Sequence, residues 1–244
     1  MTRAVRPSLD TERALWRAGH RWVAGIDEVG RGAWAGPLSV GVAVVHAGLR
    51  TRSLPYWLRD SKALPEDRRE IVYGQIANWC ADAAVGHATP EECDVLGMTL
   101  AWRLAAYRAM AMLEVRPDAV VVDGPWDLLR GRQPDASSRP PRCSEADLSG
   151  VAPPEVALPE VALPGVVLPK VRADATCAAV AAASVLAKVV RDRFMRDESE
   201  HFPAYGFERN KGYPSPQHKI ALRGYGLSAI HRRSWAFVAD LPWR

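Results

Sequence analysis

The sequence predicts an α/β domain built on a mixed sheet, and three observations lead there. Valine-rich apolar runs at 22–27, 38–45 and 119–122 are short and end in Gly, Pro or charge, as buried strands do. Residues 66–80 and 91–114 carry apolar positions at helical spacing, among them Leu96, Leu100, Leu104 and Tyr107. Strands come first and then alternate with helices, the order expected when antiparallel and parallel pairs share a sheet.

Residues 1–21 form an N-terminal extension with no continuous apolar segment to act as a signal or anchor. No later stretch is long enough to span a bilayer, so a cytoplasmic protein with no membrane partner is expected. The first strand runs into Asp27-Glu28-Val-Gly30-Arg31-Gly32, two adjacent carboxylates followed by a glycine-flanked arginine. Pro65 and Pro90 stand near the starts of the two helical segments and Pro117 lies just past the second. Asp123 closes the third run, where Gly124-Pro125 break the strand.

The stretch 124–169 differs in kind: it holds nine of the nineteen prolines and three imperfect pentapeptides beginning at Pro154, Pro159 and Pro164. A proline every fifth residue removes a backbone donor each time, so most of it reads as an extended or disordered surface insertion. A tolerated insertion is preferred over a partner-docking arm. The last repeat can still pair as a strand, because Val166-Val-Leu runs toward Lys170. An alanine-rich helix then opens near Ala173-Asp174, small enough in cross-section to pack closely on a sheet, and turns basic at Lys188, Arg191, Arg193 and Arg196. Residues 22–200 are thus one domain. Residues 201–244 form a C-terminal helical appendage whose aromatic side chains lie among cations, a pattern suited to nucleic acid.

A chain of 244 residues with 48% hydrophobic content can bury a core without staples. The four cysteines form no CxxC pair, which disfavours a zinc site or a disulfide framework. A net charge of +4 and a pI of about 9.0 lean mildly toward a polyanionic partner.

Asp27, Glu28, Asp123 and Asp174 each sit at the end of an element. Singly, Asp123 reads as a strand-end turn residue and Asp174 as a helix cap. Jointly, four carboxylates with no matching histidine or cysteine set call for a hard cation with oxygen ligands, because they cannot all stay ionised without metal or protons. Two magnesium or manganese ions about 4 Å apart could activate water on one side of a phosphodiester and stabilise the leaving oxygen on the other. One difficulty is geometric. Adjacent strand residues point to opposite faces, so Asp27 and Glu28 share a site only if the strand ends or bulges, which Gly30 and Gly32 make feasible.

Gly25-Ile-Asp-Glu-Val-Gly-Arg-Gly32, Asp60-Ser-Lys62, Val122-Asp-Gly124, Ala173-Asp174, Ala181 to Lys188 with Arg191-Asp192, Lys211-Gly-Tyr213, His218 and Arg232-Arg-Ser234 together resemble the ordered motifs of ribonuclease HII. The resemblance spans 22–238, interrupted by the proline-rich stretch, which leaves Asp123 and Asp174 51 positions apart. It implies an RNase H-like fold with a C-terminal helical appendage and a metal-dependent endonuclease, using Mn2+ or Mg2+, that acts on RNA/DNA hybrids. It implies cleavage on the 5′ side of single ribonucleotides in duplex DNA, leaving 3′-hydroxyl and 5′-phosphate ends, by a protein expected to be a monomer. The family's catalytic and metal-holding carboxylates fall on Asp27, Glu28, Asp123 and Asp174. Its sugar-reading turn falls on Gly30, Arg31 and Gly32, its junction tyrosine on Tyr213, and phosphate contacts on Lys62 and Lys188. The 2′-hydroxyl is what separates RNA from DNA, and a deoxysugar offers an apolar face to an aromatic ring, so these roles are chemically coherent. A non-catalytic nucleic-acid-binding module would not need four mutually repelling carboxylates. A general hybrid nuclease or strand transferase would not need the Gly30–Gly32 turn with Tyr213.

Overall fold

The computed structural model of the chain describes residues 6–51, 54, 58, 64–130 and 158–241. Among the described residues five strands make one sheet: β1 (Trp22–Val29), β2 (Leu38–His46), β3 (Asp82–Ala88), β4 (Ala119–Asp123) and β5 (Val166–Lys170). Their order is β3-β2-β1-β4-β5. The β1–β2 and β2–β3 pairs are antiparallel, whereas β4 lies parallel to both β1 and β5. The sheet is therefore mixed, as the sequence predicts. The register of β1 on β4 runs from Val23 opposite Ala119 to Ile26 opposite Val122. Asp27 and Asp123 are the next residues on each strand, so the register carries both to the same edge.

Helices cover both faces: α1 (Asp10–Arg17), α2 (Glu66–Trp79), α3 (Pro90–Ala111), α4 (Ala173–Thr176) and α5 (Ala178–His201), followed by α6 (Phe207–Asn210) and α7 (Pro216–Tyr225). The pleat sorts side chains between them. Val23, Ala43, Val45 and Val121 enter the core under α5, whereas Ala24, Ile26, Val42 and Val122 pack with Trp102 and Ala106 of α3. The alanine content of α5 has a direct consequence at β1. A Cβ placed on Gly25 would lie 2.2 Å from the carbonyl carbon of Ala179, so helix and strand backbones meet there with no room for a side chain. The C-terminal segment builds a third cluster around Tyr205, Phe207, Leu222 and Phe237, which takes in Ala35 and Met195.

Two elements and one interruption are not legible in the sequence, whereas the helical segment expected over 91–114 forms as α3. Strand β3 contains only one β-branched residue in Asp82-Ala-Ala-Val-Gly-His-Ala88, and it forms because β2 offers a complete partner edge. Helix α1 lies within residues read only as an extension, and it buries Glu12 and Trp16. Helix α3 is interrupted at Gly97, whose φ of 69° breaks the periodicity between its two halves. The last pentapeptide does pair: β5 joins β4 from Val166 to Lys170. Residues 131–157, which hold most of the proline-rich insertion, lie outside the described residues. Among the described residues no helix is long and apolar enough to cross a membrane, and Cys80, Cys93 and Cys177 are free thiols.

Candidate active site

Asp27 sits one residue beyond the last β1–β4 register pair, on the α5 side of the sheet, and is buried. Its carboxyl is raised to about 8, first by burial and then by the charge of Glu28 and of Asp123, with hydrogen bonds from Ser184 and the Glu28 amide offsetting part of this. Asp123 closes β4, and its Oδ1 accepts from the Ala173 amide at 2.7 Å, which ties the strand end to the turn carrying Asp174. Asp174 is buried in α4, and its Oδ1 accepts from the Ala175 amide at 2.8 Å. Arg172, just ahead of α4, holds φ 58°, a left-handed conformation that costs a non-glycine residue about 1–2 kcal/mol. Strain of that kind is concentrated at functional sites.

The structure treats Glu28 differently from the other three. Strand β1 continues through Val29, so the pleat turns Glu28 to the α3 face. There Oε2 accepts from the indole N–H of Trp102 at 3.1 Å, and Arg31 reaches Oε1 at 3.5 Å. Among the described residues no three His, Cys, Asp or Glu side chains are grouped to enclose a cation. The donor chemistry nonetheless fits one. A buried carboxyl destabilised by neighbouring carboxylates is what a hard divalent ion relieves, and all the available donors are oxygen.

Beyond Val29 the chain turns through Gly30, whose φ is 86°. A Cβ there would come 2.3 Å from Nε of Arg191 and 2.7 Å from the Pro37 carbonyl oxygen, so only glycine fits. The Gly30 amide donates to the hydroxyl of Tyr213 at 3.1 Å, and Gly32 lies against the same ring. The turn and Tyr213, 183 positions apart in sequence, are therefore in contact. Lys211, two residues before Tyr213, is the other non-glycine with positive φ among the described residues, at 51°.

Behind Tyr213 stands a buried pair of histidines. Nδ1 of His218 meets the Tyr213 carbonyl oxygen at 2.9 Å, its Nε2 meets Nε2 of His231 at 2.8 Å, and Nδ1 of His231 faces the Ser228 amide at 2.9 Å. One assignment satisfies every atom: both rings neutral, His218 donating from Nδ1 to the carbonyl and His231 donating from Nε2 to His218. Burial lowers the His218 ring below its ordinary value; burial and the neighbouring His218 lower His231 to about 3. In the sequence His218 stands out only as part of a motif, and its contact with the Tyr213 carbonyl carries no local signal.

The two lysines fare differently. Lys62 lies outside the described residues. Lys188, one turn past Ser184 on α5, pairs with the buried carboxylate of Asp192, which Arg69 also approaches at 3.5 Å.

A family model described as Ribonuclease HII matches residues 24–138 and 154–238. A ribonuclease HII from Streptomyces avermitilis is 42% identical over 240 residues, covering 98% of this chain and 88% of its own. One from Thermus thermophilus is 38% identical over 233 residues, covering 96% and 95%. Among solved structures, ribonuclease H2 from Pyrococcus horikoshii superposes with a TM-score of 0.64 at 28% identity, over 90% of this chain and 96% of that one. An RNase HIII solved in complex with Mn2+ shares the fold at a TM-score of 0.60 and 18% identity, over 92% and 71%.

Proposed function

The chain belongs to the ribonuclease HII family and is a ribonuclease, and from that premise we propose a metal-dependent endonuclease that cuts 5′ to single ribonucleotides in duplex DNA as well as within RNA/DNA hybrids. The products are a 3′-hydroxyl and a 5′-phosphate. The observation that carries the reading is the contact of Tyr213 with Gly30 and Gly32 at the end of the strand that bears Asp27. It joins a group able to read a sugar to a group able to support the cut.

Asp27, Asp123 and Asp174 would hold Mn2+ or Mg2+, with Glu28 as a fourth ligand. When bound, the ion supplies water activation and neutralisation of the leaving oxygen's charge. The chain's own residues do the rest. Ser184 and the Glu28 amide fix the Asp27 carboxyl from the α5 side and from its own backbone. Asp123 holds the Ala173 amide and so fixes the turn that presents Asp174. Exposed Arg31 lies beside Gly32, and that turn meets the 2′-hydroxyl and adjoining backbone while the Tyr213 ring packs on the following deoxysugar. Lys62 and Lys188 are assigned to backbone phosphates, Lys188 after its pair with Asp192 opens.

The test is cleavage of a labelled DNA duplex containing one ribonucleotide, in Mg2+, Mn2+ or EDTA, with the product ends mapped by mass spectrometry. Cutting 5′ to the ribonucleotide, lost in EDTA, is expected. Cutting that survives EDTA, or products ending in a 3′-phosphate, would overturn the proposal.

A further inference from the structure

Two arginines of the basic motifs, Arg191 and Arg232, are fully buried, yet the assignments above leave them without a role. Arg191 donates from Nε to the Pro37 carbonyl at 2.8 Å, from Nη1 to that of Lys211 at 2.9 Å and from Nη2 to that of Ala35 at 3.0 Å. Arg232 donates from Nη2 to the carbonyls of Gly30 at 2.6 Å and Gly36 at 3.1 Å, and from Nη1 to that of Arg31 at 3.0 Å. Among the described residues every oxygen these guanidiniums bond is a main-chain carbonyl. Burying a cation among neutral dipoles is costly, and burial lowers both groups from their ordinary values.

The six acceptors are not scattered. Five belong to the segment 30–37 that contains the Gly30–Gly32 turn, and the sixth belongs to Lys211, two residues before Tyr213. With the carbonyls of Gly30 and Arg31 drawn inward, the amides of Arg31 and Gly32 have no acceptor among the described residues, and both residues are exposed. The Gly30 amide is occupied by Tyr213, and those of Trp34 and Ala35 by the Gly212 carbonyl. Two adjacent outward donors are what a hydroxyl and a neighbouring phosphate oxygen accept from.

We propose that Arg191 and Arg232 are positioning residues for ribonucleotide recognition: they gather the carbonyls of the turn so that its free amides face the sugar, and they lock the turn to the Tyr213 loop. The inference rests on the sugar-reading assignment of Gly30–Gly32 and Tyr213. A guanidinium reaches two or three carbonyls in a fixed plane, whereas a lysine ammonium keeps the charge and loses the fork. Lysine substitution therefore separates geometry from charge.

The experiment measures binding by fluorescence anisotropy to two duplexes, one with a single ribonucleotide and one all DNA, in an Asp123→Asn background that prevents cutting. Arg232→Lys and Arg191→Lys are compared with Tyr213→Ala and the parent, each with a thermal melt. The expected result is that both lysine variants lower the ribonucleotide-to-DNA affinity ratio by about tenfold, or to one, while affinity for all-DNA duplex is unchanged. A collapsed ratio in Tyr213→Ala with the parent ratio kept in both lysine variants overturns the role of the guanidiniums alone. An unchanged ratio in Tyr213→Ala as well brings down the sugar-reading assignment itself. Equal weakening of both duplexes, or failure of both lysine variants to fold, assigns the arginines to the scaffold and overturns the inference.

Discussion

Glu12 on α1 is fully buried, and its Oε1 accepts from the Ala179 amide at 2.7 Å and from the Cys177 thiol at 3.1 Å. Ala179 is the second residue of α5, so a carboxyl from a different helix caps the helix that presents Ser184 to Asp27. Replacing Glu12 with Ala leaves that buried amide without an acceptor, at a cost of about 1–3 kcal/mol. Loss of the carboxyl's interaction with the helix N-terminus adds roughly 0.3–1 kcal/mol. Removing the buried group, whose carboxyl is raised from its ordinary value first by burial, offsets part of this, so a net loss of about 2–3 kcal/mol is expected. For a protein of this size that lowers Tm by roughly 4–12 °C. Glu12→Gln keeps the acceptor oxygen and should lose less than half as much. Calorimetry at pH 7.5 reads both variants. A shift below about 1 °C in Glu12→Ala, or an equal loss in Glu12→Gln, would refute the claim that the capping acceptor is what α1 contributes.

Asp123→Asn retains an oxygen that can accept from the Ala173 amide but loses the charge, so cleavage should vanish while the melt and duplex binding stay near the parent's; turnover at the parent rate would remove Asp123 from the chemistry. The histidine pair gives a pH prediction. His231 titrates near 3 in the fold against an ordinary 6.5, so its contribution to stability is complete above about pH 6.5 and is lost as pH falls toward 3. Raised carboxyls such as Asp27 act in the opposite sense, so the measurement is a difference. The stability gap between the parent and His231→Gln, from urea midpoints, should shrink by about 2 kcal/mol between pH 7.5 and 5, and a constant gap would refute neutral burial.

How far the sequence reached depended on the range of the interaction that decides each feature. Strands β1, β2 and β4 were legible because burial on both faces imposes a continuous apolar run, a local signal. Strand β3 was not, because its pairing with β2 compensates for a poor composition. Asp123 and Asp174 could be located at element ends, whereas Asp27 lies two residues inside β1, and the β1–β4 register brings it beside Asp123. The contact of Gly30 with Tyr213 rests on how the C-terminal segment folds back over Ala35, and no local pattern encodes it. Glu12, Trp102 and the carbonyl-gathering arginines were invisible as functional parts for the same reason: each acts through a partner more than 70 positions away.

Glu28 shows how the two levels meet. Alternation along a strand sends it away from Asp27, and the fold upholds that rule by carrying β1 through Val29 and offering Trp102 as a donor on the α3 face. Alternation separates faces, however, and a site at the end of a sheet lies where the faces meet. The charge of Glu28 raises the Asp27 carboxyl, second to burial, so the two groups interact across the pleat without sharing a face. A cation that relieves Asp27 therefore relieves the repulsion from Glu28 as well, whichever face its carboxylate occupies. The indole bond holds that carboxylate beside the exposed Arg31, so the same glutamate links the carboxylate edge to the turn assigned to the sugar.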